Sequence, residues 1–211
     1  MPPEAPDPSL ERLIQEGLDE LGLEGGLAAD LARLSELLHA WAQRISLTGH
    51  RSPEIIARRL VLDALALERQ LPEADTLADL GAGAGFPGLP IAVARPACRV
   101  ALVESRERRV HFQRAAVRAL GLANTEAIRG RAEALEPRPQ AIAVAQAMGT
   151  PDQVARWLVP WVAPGGLLVI PGAEAPPQVG TVAGLDPPSV VHYRVPLDGP
   201  ARTLWIARKS D

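Results

Sequence analysis

The sequence predicts an α/β fold with a mostly parallel sheet, and three observations carry that reading. A short apolar run ending in an acid, Thr76 to Leu80, passes directly into a glycine-rich turn, Gly81-Ala82-Gly83-Ala84-Gly85-Phe86-Pro87-Gly88, and then into an apolar helical stretch. Continuous apolar runs of this length are what parallel strands look like, because both of their faces are covered. From Thr76 onward strand-like and helix-like segments alternate, as parallel strands joined by crossover helices do. The alternation closes on Val190 to Val195 and Thr203 to Arg208, parted by the turn-rich Pro196-Leu197-Asp198-Gly199-Pro200. That pair reads as antiparallel.

Residues 1–8 are rich in proline and acid and are expected to be a disordered tail. Residues 9–71 read as a helical extension. Ser9 is the expected N-cap of a first helix with Leu10, Leu13, Ile14, Leu18 and Leu21 at helical spacing, ended by Gly22, Gly25 and Gly26. A second helix is expected from Leu27 to Ala42, and a third over 53–70, opened by Ser52 and Pro53. It carries Arg58, Arg59 and Asp63 among aliphatics, and Asp63 reads as a structural hydrogen-bonding group.

Residues 72–211 read as the main domain. After Thr76 to Leu80, a helix is expected to begin near Pro87. Strands are expected at Arg99 to Glu104, Asn124 to Arg129, Ala141 to Ala147 and Leu167 to Ile170, the last entered through a turn at Pro164-Gly165-Gly166. Helices are expected over Glu107 to Leu120 and Asp152 to Val162. Gly130-Arg131-Ala132-Glu133 turns after the third strand. The count is seven strands.

Gly83-x-Gly85-x-x-Gly88 satisfies a nucleotide-binding fingerprint, a weak signal by itself that strand-before, helix-after context strengthens. Glycines there permit a tight turn and close approach of backbone to ligand, and the N–H groups opening the next helix are expected to meet a polar or anionic ligand end. Glu104, the acid ending the second strand, is placed to accept the ribose hydroxyls of a bound adenosine. A dinucleotide oxidoreductase is the first rival, but the antiparallel ending and the lack of a separate substrate domain argue against it.

The composition narrows the classes further. A net charge of −3 gives no global nucleic-acid signal. Cys98 is the only cysteine, which fits a reducing compartment and leaves no internal disulfide. No apolar run reaches the ~18 residues of a membrane span, and residues 1–8 are unlike a signal peptide. A soluble cytoplasmic protein that touches no membrane is expected. His39, His50, His111 and His192 lack paired metal spacing, so no metal is expected. Arg108, His111, Arg114 and Arg118 form a stripe on the helix after Glu104, either a solvated face or one turned to RNA.

Taken together, the chain resembles the bacterial 16S rRNA guanine-N7 methyltransferase family, also called glucose-inhibited division protein B. The most specific segment is Asp79-Leu80-Gly81-Ala82-Gly83-Ala84-Gly85-Phe86-Pro87-Gly88-Leu89-Pro90-Ile91, followed by Arg95-Pro96. Glu104-Ser105, Arg108-Arg109 with Phe112, Gly130-Arg131-Ala132-Glu133, and Arg59 with Asp63 match further blocks. The chain also departs from the pattern. Leu60 stands for a histidine, Ala64 for a serine, Ser46 for an asparagine and Ala82 for a threonine; Gln146 stands for an arginine, Pro171 for a lysine, and Thr203 where the last strand begins Arg-His.

The resemblance implies a Rossmann-like class I S-adenosylmethionine-dependent methyltransferase acting on a guanine N7 of 16S rRNA in the small ribosomal subunit; a monomer is expected. It implies S-adenosylmethionine held by Gly81, Ala82, Gly83, Gly85, Phe86, Glu104, Ser105, Ala132, Glu133 and Gln146. Arg51, Arg59, Arg108, Arg109 and Arg131 are the implied RNA contacts, and no catalytic residue is assigned. A methyltransferase of the same shape with another substrate, and a cofactor-binding protein without turnover, stay open.

Overall fold

The computed structural model describes residues 6–23 and 26–210. Gly25 and the first five residues of the expected tail lie outside them. Helix α1 (Pro8–Glu20) starts one residue before the expected cap, because Asp7 and not Ser9 caps it. Asp7 Oδ1 accepts from Ser9 N and Ser9 Oγ, each at 2.8 Å. Helix α2 (Ala28–Ala42) packs on it through Leu31 and Ala32.

The expected third helix is continuous but not uniform. It runs as α3 (Pro53–Ile56), a π-helical turn (Ala57–Val61) and α4 (Leu62–Glu68). Ser52 caps it by accepting from Ile55 N. Such π turns are wider than α turns and are frequent at functional sites; this one carries Arg58, Arg59 and Leu60.

The sheet has seven strands in the order β3-β2-β1-β4-β5-β7-β6. They are β1 (Thr76–Leu80), β2 (Arg99–Glu104), β3 (Thr125–Arg129), β4 (Gln140–Ala145), β5 (Val162–Gly172), β6 (Ser189–Arg194) and β7 (Ala201–Arg208). The first five are parallel, and β7 is antiparallel to both β5 and β6. Helices α5 (Gly88–Ala94), α6 (Glu107–Ala119) and α7 (Pro151–Leu158) cross between the parallel strands.

Three sequence expectations are corrected locally. Pro164-Gly165-Gly166 is not a turn but part of an 11-residue β5, where Gly165 takes φ +73° and the register against β4 slips. A positive φ inside a strand is a bulge geometry that glycine tolerates. Helix α7 stops at Leu158, and Val159–Trp161 tighten into a 3-10 turn. Strand β4 ends at Ala145, so Gln146 and Ala147 lie beyond it, Ala147 at φ 52°.

One core face joins the extension to the sheet: Leu34, Leu38 and Ile56 pack with Leu77, Leu89, Val100 and Phe112. Trp41 meets Phe112 edge to face, centroids 5.7 Å apart. The junction is also pinned by Arg95, at the end of α5. Its guanidinium donates to Glu68 Oε1 at 2.5 Å and to the carbonyls of Glu68, Leu71 and Pro72. The other face of the sheet is covered by α7 and Trp161 through Val154, Leu158, Ala143 and Leu168. Among the described residues no helix is long and apolar enough to cross a membrane.

Candidate active site

Strand order reverses between β1 and β4, and ligands of open parallel sheets bind outside the carboxyl ends of the strands at such a point. The glycine loop leaves β1 there. Ala82 N donates to Val103 O at 3.0 Å, and Gly85 N and Phe86 N donate to Ala82 O at 2.7 and 3.0 Å, which folds the loop back on itself. Gly81 and Gly83 take φ +68° and +58°. A Cβ placed on Gly83 would meet only Arg109 NH1 at 3.7 Å and Gly81 O at 3.8 Å, so that backbone faces open space.

The helix opening is used differently from expectation. Pro87 is the N-cap of α5 rather than its first turn, and Gly88 N donates to Asp79 Oδ2 at 2.8 Å. The first helical N–H therefore answers a buried carboxylate of β1 and not a ligand. A side chain at position 88 would be crowded: a Cβ there would lie 2.2 Å from Leu102 Cδ2 and 2.9 Å from Asp79 Oδ2. Asp79 is buried, and its Oδ1 has no partner among the described residues. Burial pushes its carboxyl up to about 7, against the lowering effect of Gly88 N–H and with a further push from Glu104.

Glu104 is the second carboxylate. Oε1 accepts from Arg106 N at 2.7 Å and Ser105 Oγ at 3.2 Å; Oε2 accepts from Gly83 N at 3.1 Å and Arg109 NH1 at 3.3 Å. An ionised carboxylate offers about four lone-pair sites, so two backbone and two side-chain donors fill it. Helix α6 braces the loop from beneath. Arg109 reaches Glu104, and Gln113, one turn on, donates from Nε2 to Gly83 O at 2.9 Å.

These groups border a cavity of about 260 Å³ whose walls include Gly81, Glu104, Ser105, Arg109, Ala132 and Glu133, with Met148 and Trp157 beyond them. Trp161 Nε1 donates to Ala132 O at 3.1 Å and fixes the turn after β3. Met148 lies over Gly81, its Cβ 3.0 Å from where a Gly81 Cβ would be. Larger grooves, about 480 and 620 Å³, open at the other end of the sheet beside Thr76, Arg99 and Gln140. Those are the starts of strands and lack both Gly81 and Glu104, so the smaller cavity is the candidate site.

A second cavity, about 30 Å³, lies between the extension and the strand ends. The extension contributes Arg59, Leu60, Asp63, Ala64 and Leu67; Phe86, Pro87, Gln146 and Pro171 come from the β1, β4 and β5 ends, and Tyr193 and Arg202 from β6 and β7. Arg202 holds Asp63 by Nε at 2.9 Å and NH2 at 2.7 Å, both to Oδ2, with Nε also 3.3 Å from Oδ1. Burial beside Asp63 pushes the Tyr193 hydroxyl above its ordinary range.

The structure thus sorts the expected residues. Gly81, Glu104, Ser105, Ala132 and Glu133 line the larger cavity; Phe86 and Gln146 line the second; Ala82 and Gly85 are buried in the turn and shape it. Of the expected RNA contacts, Arg109 belongs to the Glu104 cluster, which also explains why it is half-buried, and Arg59 sits at the second cavity's rim. Arg131 is exposed at the larger cavity, Arg108 is exposed on α6, and Arg51 borders a separate groove with His39 and His50. Gln113, Met148, Tyr193 and Arg202 were not anticipated as site residues. Only Gln113 left a trace, a polar residue on the buried stripe of α6.

A seven-stranded sheet of this order, with a glycine loop after β1 and a carboxylate ending β2, defines a class I S-adenosylmethionine-dependent methyltransferase. The rRNA small subunit methyltransferase G family matches residues 27–177, and the chain belongs to that family. Its members are S-adenosylmethionine-dependent rRNA methyltransferases. The chain is 36% identical over 208 residues to ribosomal RNA small subunit methyltransferase G of Geobacter sulfurreducens, covering 92% of this chain and 94% of that one. It is 39% identical over 162 residues to that of Stenotrophomonas maltophilia (76% of each chain). In fold it is similar to a mutant of MtNAS solved in complex with S-adenosylmethionine (TM-score 0.60, 14% identity, 97% and 90% covered). It is similar as well to a candidate O-methyltransferase from Klebsiella pneumoniae (0.59, 14%, 96% and 98%).

Proposed function

We propose that the chain methylates N7 of a guanine in 16S rRNA, and that the observation carrying this is the glycine cradle closed by Glu104 beside a second, substrate-side cavity. The cradle suits S-adenosylmethionine on three counts. Gly83 presents open backbone that a side chain would fill, Glu104 stands at the rim with two side-chain donors that a ligand can replace, and Gly81, Ala132 and Glu133 wall the same cavity. Bound there, S-adenosylmethionine supplies a sulfonium methyl group, which a guanine N7 lone pair accepts with no proton to remove.

The protein's work is therefore positional. Ser105 and Arg109 are the side-chain donors that a ribose diol replaces on Glu104, one on each oxygen, while Gly83 N and Arg106 N keep the carboxylate aimed. Ala132 and Glu133 flank the adenine. Phe86 and Pro87, at the loop's end, face the substrate side and exclude water from it. Exposed Arg108 and Arg131 attract phosphate without reading sequence.

Unmodified 30S subunits, or their naked rRNA, should take up one labelled methyl group, and N7 methylation should then make the RNA cleavable at that guanosine by aniline after borohydride reduction. No incorporation into either substrate would sink the rRNA reading. A second reading, a methyltransferase with another substrate, draws on one observation: Leu60, Ala64, Gln146 and Pro171, all departures from the family pattern, line the same cavity. Turnover without RNA selects it. The assignment to rRNA implies work in the cytoplasm, where we take the protein to act as a monomer; sedimentation equilibrium tests the latter.

A further inference from the structure

The second cavity holds room for roughly a water or two and not for a purine. Yet its walls have the chemistry of a base site. Phe86 and Tyr193 are half-buried aromatic rings, and Pro87 and Pro171 add flat apolar surface. Bases splayed out of an RNA strand are bound by stacking on such surfaces and by hydrogen bonds to their edges. One carboxylate, Asp63, faces into this enclosure, and Arg59 stands at its rim.

Arg202 borders the same space and holds the carboxylate. Its guanidinium lies on Asp63 with Nε and NH2 2.9 and 2.7 Å from Oδ2. The Watson–Crick edge of guanine, N1–H beside the exocyclic 2-amino group, is itself a guanidine fragment: two parallel N–H donors on one C–N framework. A carboxylate placed for one fork is placed for the other. Adenine offers no such pair, since its N1 is an acceptor. The edge carrying N7 lies across the purine from the edge that Asp63 would hold, so a base held by Asp63 can turn N7 toward the walls supplied by the strand ends.

We propose that this cavity receives the target guanine, that Asp63 reads its N1–H and 2-amino edge, and that Arg202 occupies the carboxylate until the base displaces it. Arg202 is a gate and Asp63 a specificity-determining residue. The inference rests on the methyltransferase reading, and its test is arranged so the two fail separately.

The full chain, saturated with S-adenosylhomocysteine, is titrated with guanosine, inosine and adenosine 5′-monophosphates and followed by 1H–15N chemical shifts. Inosine keeps N1–H and lacks the 2-amino group. Guanosine monophosphate should bind about tenfold tighter than adenosine monophosphate, with inosine monophosphate between them. Asp63→Asn should erase the ranking while leaving S-adenosylhomocysteine bound. Arg202→Gln should tighten guanosine monophosphate several-fold and keep the ranking, which a purely structural ion pair would not do.

Failure of S-adenosylhomocysteine to bind the wild-type chain overturns the methyltransferase reading, and this inference with it. Normal cofactor-product binding with equal affinity for the three nucleotides overturns the base site alone. So does a ranking that survives Asp63→Asn. Should Asp63→Asn fold poorly, the wild-type ranking and Arg202→Gln decide the matter.

Discussion

Gln113 Nε2 donates to the carbonyl of Gly83 at 2.9 Å, tying the middle of α6 to the most open residue of the glycine loop thirty positions earlier. The side chain is wholly buried and its Oε1 has no partner among the described residues. A helix that holds a loop by its carbonyl keeps that peptide's orientation, and with it the direction of the neighbouring N–H groups. Gln113→Leu leaves Gly83 O without its donor and should cost about 1–3 kcal/mol in stability. Calorimetry should show S-adenosylmethionine bound about tenfold more weakly; unchanged affinity would mean the loop holds its shape without the brace.

In the proposed binding mode, Arg109 competes for the Glu104 oxygen that a ribose would take. Its own side chain is 29% exposed, so the contact is partly screened and worth no more than about 1 kcal/mol. Arg109→Ala should therefore tighten S-adenosylhomocysteine by roughly two- to fivefold in a titration. Weaker binding would instead make Arg109 a ligand contact.

Asp79 gives the protein a pH signature. Its folded-state carboxyl titrates near 7 against an ordinary 3.8, so the folded chain holds the proton more tightly than the unfolded one. The associated stability is fully present below about 4 and is lost as pH rises through about 7, on the order of a few kcal/mol. Chemical denaturation across pH 4 to 8 should show that decline, and Asp79→Asn should flatten it. A slope that persists in the variant assigns it to another group.

Arg95 is predicted to be the costliest charge to remove from the junction. It leaves Glu68, 6% exposed in its side chain, with an unpaired carboxylate. Arg95→Ala should destabilise the chain by about 3–5 kcal/mol. Adding Glu68→Leu should return only the part of the loss due to the unpaired carboxylate, because the carbonyls of Glu68, Leu71 and Pro72 still lack their donor; a double variant as unstable as the single would contradict this.

Gly88→Ala tests the packing between loop and sheet. Its Cβ would sit 2.2 Å from Leu102, on a central strand that cannot retreat. Overpacking of this kind costs about 1–3 kcal/mol. The melting temperature should fall, and S-adenosylmethionine binding should weaken as Asp79 is pushed off Gly88 N.

The strands were legible because parallel strands buried on both faces are apolar runs bounded by turn residues, as Thr76–Leu80 and Arg99–Glu104 show. Places where glycine and proline do other work were misread: Gly165 sits in a bulge instead of a turn, and Pro87 caps its helix instead of opening it. Asp79 looked like a member of the loop motif, whereas its bond to Gly88 N uses the helix opening that an anion was expected to occupy. Glu104 could be placed because strand ends converge at the reversal of order. Arg202 could not. Its meeting with Asp63, 139 residues away, depends on β7 sliding between β5 and β6, which no local pattern records.

That insertion of β7 has a consequence for how the chain is made. Synthesis runs from the amino end, so β5 and β6 leave the ribosome before the strand that separates them. Until β7 arrives, β6 has no neighbour to pair with, and the apolar edge of β5, including Leu168 and Ile170, stays open. An unpaired edge is a template for association with other chains. A chain stalled or cut before Ala201 therefore carries an exposed, adhesive margin, and the last strand acts as the fold's seal as well as the carrier of Arg202.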